Sequence, residues 1–270
     1  MLPSNIEYIS LRLARRYLFR DALLLRFGAF FPYYRTNHNQ VNPAPLVDVY
    51  ARHLLAEHFP TQGRCLLEIG VGRTNSTFYE IAARFSPASL LAFEPFVAFG
   101  EAEDASLLSQ IATLHHCEAA SLARCVSRIS ELANVPDNSV DLVLSSSVLE
   151  HVSDPVVLFR ELRRVLAPNG AMLHLVDYRD HFFKYPFHFL QFKKATWNRW
   201  LNPGDLPVWR MYDHIDQLES SGFVVRLIEE ERDVAAYGRI APYVSSDYRV
   251  TDERLQTTTA ALWATAAKAK

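Results

Sequence analysis

The sequence predicts an α/β fold: a doubly wound, mostly parallel sheet of seven strands with an antiparallel C-terminal edge strand. Three observations carry that expectation. Short apolar runs at 66–69, 89–93, 142–144 and 171–176 alternate with stretches of helical periodicity, the order in which helical crossovers join parallel strands. The first run passes directly into Gly70 and Gly72 before a new helical pattern begins. Strand, glycine turn and helix together let backbone N–H groups approach a bound nucleotide. The last two runs, 223–228 and 260–267, have no long helical crossover between them, so they close the sheet in antiparallel fashion.

Residues 1–45 read as a helical extension ahead of one large domain at 46–270. Within 1–40, six arginines stand against Glu7 and Asp21, interleaved with Leu11, Leu18, Phe27, Phe30 and Phe31. Such a basic amphipathic stretch can make peripheral contact with an anionic membrane. The favoured expectation is different: a helical cover over the active-site face, its arginines reaching water. Pro43 and Pro45 then precede a helix over 46–58, with Leu46, Val49, Tyr50 and Leu54 on one face.

After the glycine turn, Phe78, Ile81, Ala82 and Phe85 recur at helical spacing. Thr77 and Glu80 have capping-box separation, and Asn75 or Ser76 could equally cap this helix. The strand at 89–93 ends in Glu94, 24 residues after Gly70, near the spacing at which an acid accepts hydrogen bonds from ribose hydroxyls. A helix over 107–114 and a strand near 122–126 follow. The turn cluster 135–141 leads into the strand at 142–144 and then Ser145. Beyond it, Asp154 and Pro155 take the favoured N-cap and N1 positions of a helix whose core stripe is Leu158, Leu162, Val165 and Leu166.

Composition narrows the function classes. A hydrophobic share of 49% and a charged share of 21% are those of an ordinary globular protein. A net charge of -2 gives no nucleic-acid footprint. Cys65, Cys117 and Cys125 are odd in number and have no CxxC spacing, which argues against a disulfide framework or zinc cluster and fits a cytoplasmic location. No apolar run is long enough to span a bilayer, and arginines interrupt the N-terminal apolar run, so no signal peptide is expected.

Taken together, Glu68-x-Gly70-x-Gly72, the acid Glu94, the block from Pro136 to Gly170 and the final antiparallel strand resemble the class I S-adenosylmethionine-dependent methyltransferases of the small-molecule type. The block, through Val148-Leu-Glu-His-Val-Ser-Asp-Pro155 and Leu162-Arg-Arg-Val-Leu-Ala-Pro-Asn-Gly170, is the most specific part. The resemblance implies a Rossmann-like fold, S-adenosyl-L-methionine as cofactor, and methyl transfer to a small-molecule or carbohydrate acceptor, on oxygen. It also implies roles. Glu68, Gly70 and Gly72 border the methionine end, where a carboxylate favours the ammonium group. Glu94 holds the ribose hydroxyls, and Ser145 offers its backbone to the ammonium. Two positions depart from the pattern. Asn75 replaces a third glycine, which a methionine moiety does not need because it has no pyrophosphate to cradle. Ser127-Arg128 replaces the acid that grips the adenine amino group, leaving adenine to the backbone of Ile129 and to apolar walls beside Arg128.

Methyl transfer from a sulfonium needs alignment more than acid–base help, although a hydroxyl acceptor gains from a base. Substrates bind beyond the carboxyl ends of the strands, which points to the stretch ending Asp177-Tyr-Arg-Asp-His181. His181 and Asp177 are the candidate catalytic residues. The structural alternative is an anchored loop in which Asp180 pairs with Arg179. No metal is expected, because Asp177, Asp180 and His181 match no familiar ligand spacing. A lid insertion spans 177–212, and ten of the residues from 177 to 209 are aromatic. Aromatic faces suit sugars, rings or lipid chains, but the same rings can form the insertion's own core. Two rival functions remain: a nicotinamide-dependent oxidoreductase, disfavoured by Glu68 and by the antiparallel end, and a non-catalytic binding module of the same fold, motivated by Arg128.

Overall fold

The computed structural model describes residues 2–18, 42–180, 182, 184–202 and 207–267. Its strands are β1 (Cys65–Ile69), β2 (Ser89–Phe93), β3 (Val126–Ile129), β4 (Val140–Ser146), β5 (Leu166–Asp177), β6 (Phe223–Arg232) and β7 (Thr257–Ala266). They hydrogen-bond in the order β3-β2-β1-β4-β5-β7-β6. The first five run parallel, and β7 is antiparallel to both β5 and β6. This is the expected Rossmann-like sheet with its antiparallel C-terminal edge. The structure adds the order within that edge: β7 slots between β5 and β6, leaving β6 outermost.

The helices are α1 (Ser4–Tyr17), α2 (Ala44–Ala56), α3 (Ser76–Phe85), α4 (Glu101–Leu114), α5 (Ala119–Arg124), α6 (Pro155–Val165), α7 (Met211–Ser220) and α8 (Val234–Ile240). Strand alternation sends neighbouring side chains to opposite faces, and two cores result. Leu67, Val143 and Met172 pack with Phe159, Leu162 and Leu218 of α6 and α7. Leu66, Leu144 and Leu173 pack with Tyr50 and Leu54 of α2 and Phe78 of α3.

Two local expectations change. Residues near 122 form α5 rather than a strand, and pairing with β2 begins only at Val126. The capping box on α3 does not form: Asn75 sits at the N-cap without a side-chain cap bond. Glu80 is buried instead against His115, 2.9 Å away, a tertiary partner invisible to local spacing. By contrast, Asp154 does cap α6, accepting from the Val157 N–H at 3.2 Å, with Pro155 in the first turn.

The aromatic insertion builds a third core with α1 and α8. Tyr8 of α1 packs edge-on to Phe182 and Tyr185, at 6.0 and 5.7 Å between centroids. Trp197, Phe187, Phe189 and Tyr237 complete the cluster. Two buried arginines organise it. Arg12 pairs with Asp180 and faces the rings of Tyr8, Phe182 and Trp197. Arg210, fully buried, donates to the carbonyls of Tyr178, Leu255 and Thr257, tying the insertion to the ends of β5 and β7. Asp180 therefore pairs with Arg12 and not, as the sequence suggested, with Arg179. Arginines 20, 26 and 35 lie outside the described residues. No described helix is long and apolar enough to cross a membrane.

Breaking a buried ion pair strands its partner charge, at a cost of about 3–5 kcal/mol. Arg12→Ala should therefore lower the thermal midpoint and open the insertion to limited proteolysis. Arg16→Ala, which removes bonds to the exposed carbonyl of Asn198 and the half-buried one of Asn202 and strands no buried charge, should do much less.

His174 on β5 and His214 on α7 are also fully buried. Burial lowers their proton affinity from 6.5 to about 4 and about 3 respectively. Each ring's contribution to stability is fully present above the unfolded value of 6.5 and is lost as pH falls toward the folded value. Nitrogen NMR should show both rings neutral from pH 7.5 down to pH 5.

Candidate functional site

The glycine turn after β1 is shaped by close approach. Gly70 has φ +75°, and a Cβ there would lie 2.5 Å from Val148 Cγ2, so only glycine lets the segment after β4 pass beneath the turn. Gly72 has φ +69°, and a Cβ there would meet open space. Its N–H donates to Glu94 Oε2 at 3.0 Å. The other Glu94 oxygen accepts from the N–H groups of Phe96 and Val97 at 3.0 and 3.1 Å. The acid at the end of β2 thus ties the glycine turn to the loop before α4.

Glu68 points from β1 toward α2 and is 4% exposed. Tyr50 of α2 donates to its Oε1 over a long 3.4 Å. Among the described residues, its Oε2 has no partner. Burial raises its proton affinity to about 8, against the smaller opposing effect of the Tyr50 hydroxyl. A buried carboxyl with an orphaned oxygen fits an incoming ammonium group, whose charge would ionise it.

Arg128 on β3 donates to the Gly72 carbonyl and to Asn75 Oδ1 at 3.2 Å, and its guanidinium lies 5.0 Å from the Phe99 ring centroid. It cannot accept from an adenine amino group, so that part of the usual chemistry does not fit. The Ile129 carbonyl accepts from the Glu94 N–H at 3.0 Å. Ser145 is buried within β4, and its hydroxyl shares a 2.7 Å hydrogen bond with His174 Nδ1. Ser146 and Ser147, one and two residues on, face a cavity that Ser145 does not line. The structure thus brings Glu68, Gly70, Gly72, Glu94, Arg128 and Ile129 around one turn, with Ser145 beneath it.

That cavity, about 350 Å³, opens beyond the ends of β4 and β5, lined by Arg52, His53, Asp177, Arg179, Glu229, Glu231 and Thr259 among others. Of the two catalytic candidates, Asp177 lines it with both carboxylate oxygens held by Arg179, the Nη2 contact at 2.6 Å. Both of its oxygens are thus already engaged by the neighbouring guanidinium. His181 lies outside the described residues. Among those residues no cluster of three His, Cys, Asp or Glu side chains could hold a metal ion.

A second cavity, of about 30 Å³, lies on the other side of the Asp177–Arg179 pair, lined by Glu150, Tyr178, Phe189, Trp197 and Trp209. Glu150, in the turn after β4, is the functional candidate that sequence reasoning missed. It is 5% exposed, and burial pushes its carboxyl up to about 8. The Leu149-Glu-His151 turn stood in the motif, but spacing alone does not say which of its side chains turns inward.

Comparison with known proteins bears on the fold. A family model described as "Methyltransferase domain" matches residues 107–174. Phosphoethanolamine N-methyltransferase 2 of Haemonchus contortus, solved with phosphomonomethylethanolamine and S-adenosylhomocysteine, has a similar fold (14% identity, TM-score 0.52). The match covers 95% of this chain and 59% of that one. A Galdieria sulphuraria protein provisionally assigned as a sarcosine dimethylglycine methyltransferase is similar at 16% identity and TM-score 0.50, covering 83% of this chain and 86% of that one. No curated protein matches the sequence. Residues 107–174 thus match a methyltransferase domain model, and the chain shares its fold with solved methyltransferases.

The Glu68 site gives a binding signature. At pH 7 its carboxyl, raised to about 8, enters binding largely protonated, whereas the ligand's α-amino group, stabilised as ammonium by its own α-carboxylate, enters fully charged. Pairing the two expels about one proton. Calorimetry of S-adenosylhomocysteine in buffers of different ionisation enthalpy should show that release at pH 7 and tightest binding near pH 8. Glu68→Gln should abolish the release and weaken binding roughly 10- to 100-fold, the worth of a charge-assisted hydrogen bond.

Proposed function

We propose that the protein transfers a methyl group to a small-molecule or glycan acceptor, on oxygen, in the cavity beyond the ends of β4 and β5. The observation that carries this reading is the cavity itself: about 350 Å³, walled by hydroxyls and charges of both signs, and reaching Ser146 and Ser147 at the end of β4. Those hydroxyls and charges can hold a polyhydroxyl acceptor, with Val49, Leu175, Val176, Ala260 and Ala261 supplying apolar surface beside them.

In this reading Glu68, Gly70 and Gly72 hold the methionine end of the cofactor and Glu94 the ribose hydroxyls. Arg128 and the Ile129 backbone border the adenine, and Ser145 supports the β4 end from below. S-adenosylmethionine supplies the methyl group, already activated on sulfur. The chain's own task is to hold the acceptor oxygen in line and to take its proton. Asp177, held by Arg179, orients the acceptor. The paired state of Asp177 leaves His181 as the candidate base of the original two. Residues 1–45 act as an extension and 177–212 as the lid of a catalytic domain over 46–270. Supporting this division, α1 and the aromatic insertion share one core, so the rings serve mainly to build the lid. The three free thiols are compatible with a cytoplasmic setting.

The test is direct. Isothermal titration should show S-adenosylhomocysteine binding at micromolar affinity, and NADH should not bind. Radiolabelled methyl transfer from S-adenosylmethionine should then be screened against monosaccharides, amino sugars and phenols. Labelling confined to amines would overturn the oxygen assignment, and absence of S-adenosylhomocysteine binding up to millimolar concentration would favour a non-catalytic module.

A further inference from the structure

We propose that the cavity at Glu150 receives a protonated primary amine, so that the acceptor carries an –NH3+ group docked beside the site of methyl transfer. This rests on the reading that the chain methylates a polar acceptor beyond β4 and β5, and it adds the acceptor's charge.

Position comes first. Val148 packs beneath Gly70 so closely that a Cβ on the glycine would collide with it. Glu150, two residues on, is therefore held next to the cofactor turn by the fold. Both of its oxygens are buried; the backbone N–H groups of Glu150 itself and of Asp177 lie near them, but neither oxygen has a partner of full hydrogen-bond geometry among the described residues. A buried, unpartnered carboxyl is costly unless something arrives to satisfy it.

The surroundings specify what arrives. Every other acid lining the cavity already holds a cation: Asp177 holds Arg179, and Asp180 holds Arg12. Arg210 lies over the faces of Tyr178 and Phe189; its two Nη groups donate to backbone carbonyls, its Nε has no partner among the described residues, and it does not line the cavity. Glu150 is thus the one lining carboxyl without a cation among the described residues. Opposite it stand Tyr178, Phe189, Trp197 and Trp209, and aromatic faces attract a cation that has lost its water. A neutral hydroxyl would satisfy one oxygen, but it would leave the acid protonated and gain nothing from the rings.

Size completes the assignment. The cavity's roughly 30 Å³ is room for about one water-sized group. An –NH3+ terminus fits that volume, and a quaternary ammonium does not. Asp177 and Arg179 line both this cavity and the larger one, so an amine seated at Glu150 places the rest of its molecule at the edge of the polar cavity.

The test uses the full chain saturated with S-adenosylhomocysteine and follows tryptophan fluorescence, because Trp197 and Trp209 line the cavity. Methylammonium chloride is titrated at constant ionic strength, with methanol and tetramethylammonium chloride as neutral and oversized controls. The expected result is a saturable millimolar response to methylammonium alone. It should weaken at least 10-fold in Glu150→Gln and stay within a few-fold in Glu150→Asp. Equal responses to methanol, or an unchanged response in Glu150→Gln, would overturn the proposal. Calorimetry of S-adenosylhomocysteine on each variant separates the possible failures. A Gln variant that binds it normally but loses the methylammonium response supports the amine pocket. If the Gln variant does not fold, the contrast between wild type and Glu150→Asp decides: a response equal for methylammonium and methanol in both overturns the proposal. A wild-type chain that does not bind S-adenosylhomocysteine sinks the methyltransferase reading instead.

Discussion

The structure depends on one topological constraint: β1 lies between β2 and β4, so the chain leaves β1 toward one half of the sheet and leaves β4 toward the other. The connections diverge, and a crevice opens between them at the carboxyl ends of the parallel strands. The crevice is held at a fixed width. Gly70 permits Val148 to pass directly under the glycine turn, and the Gly70 N–H donates to the Phe93 carbonyl at 2.8 Å, so the ends of β1, β2 and β4 move as one body. Glu68, Glu94, Ser146 and Glu150 are all placed by these three strand ends, whatever the remaining chain does.

Two kinds of buried acid coexist around that crevice, and the difference separates framework from site. Asp180 is satisfied within the protein, by the Tyr8 hydroxyl and Arg12, and its loss would cost the lid its anchor to α1. Glu68 and Glu150 each keep at least one oxygen unpartnered among the described residues. Both are pushed up to about 8 by burial. An acid that remains protonated at neutral pH exerts little charge in the empty fold, yet it becomes a strong anion once a cation arrives. That property is of no use to a framework and suits a site that must take up charged groups. Such groups cost stability progressively as pH rises from about 4.5 to about 8, and the full cost persists above that, which a framework gains nothing from bearing.

Much of this was legible in the sequence because it is written in local order. Alternating apolar runs gave the sheet, the Gly70–Gly72 spacing gave the turn, and Asp154-Pro155 gave the start of α6. What stayed hidden depends on pairing across long separations. Arg12 finds Asp180, and Asn5 finds Gln191 at 3.0 Å, contacts that only the fold can create. The aromatic insertion illustrates the limit well. Its composition announced a cluster, but whether rings face substrate or one another is decided by Arg12 and Arg210, whose guanidinium groups draw the rings inward. Glu150 was hidden for a simpler reason: a three-residue turn has no periodicity from which to read an inward side.

The two departures from the family pattern, Asn75 and Arg128, prove to be one feature. Arg128 spans from β3 to the glycine turn, donating to the Gly72 carbonyl and to the Asn75 side chain, while the Asn75 N–H donates to Asp104 at 2.6 Å. A glycine at 75 would leave the guanidinium one acceptor short, and an acid at 128 would face the Gly72 carbonyl without a hydrogen to offer. The pair therefore forms an internal clamp that braces the glycine turn from within the protein. The clamp has a chemical consequence at the adenine end of the proposed site. A guanidinium has donors only, so the base edge it can meet is the one carrying ring nitrogens, whereas an acid would have met the amino group. In the proposed site, a turn braced in this way gives up some recognition of the base and leaves Glu68, with one oxygen unpartnered among the described residues, beside the same turn.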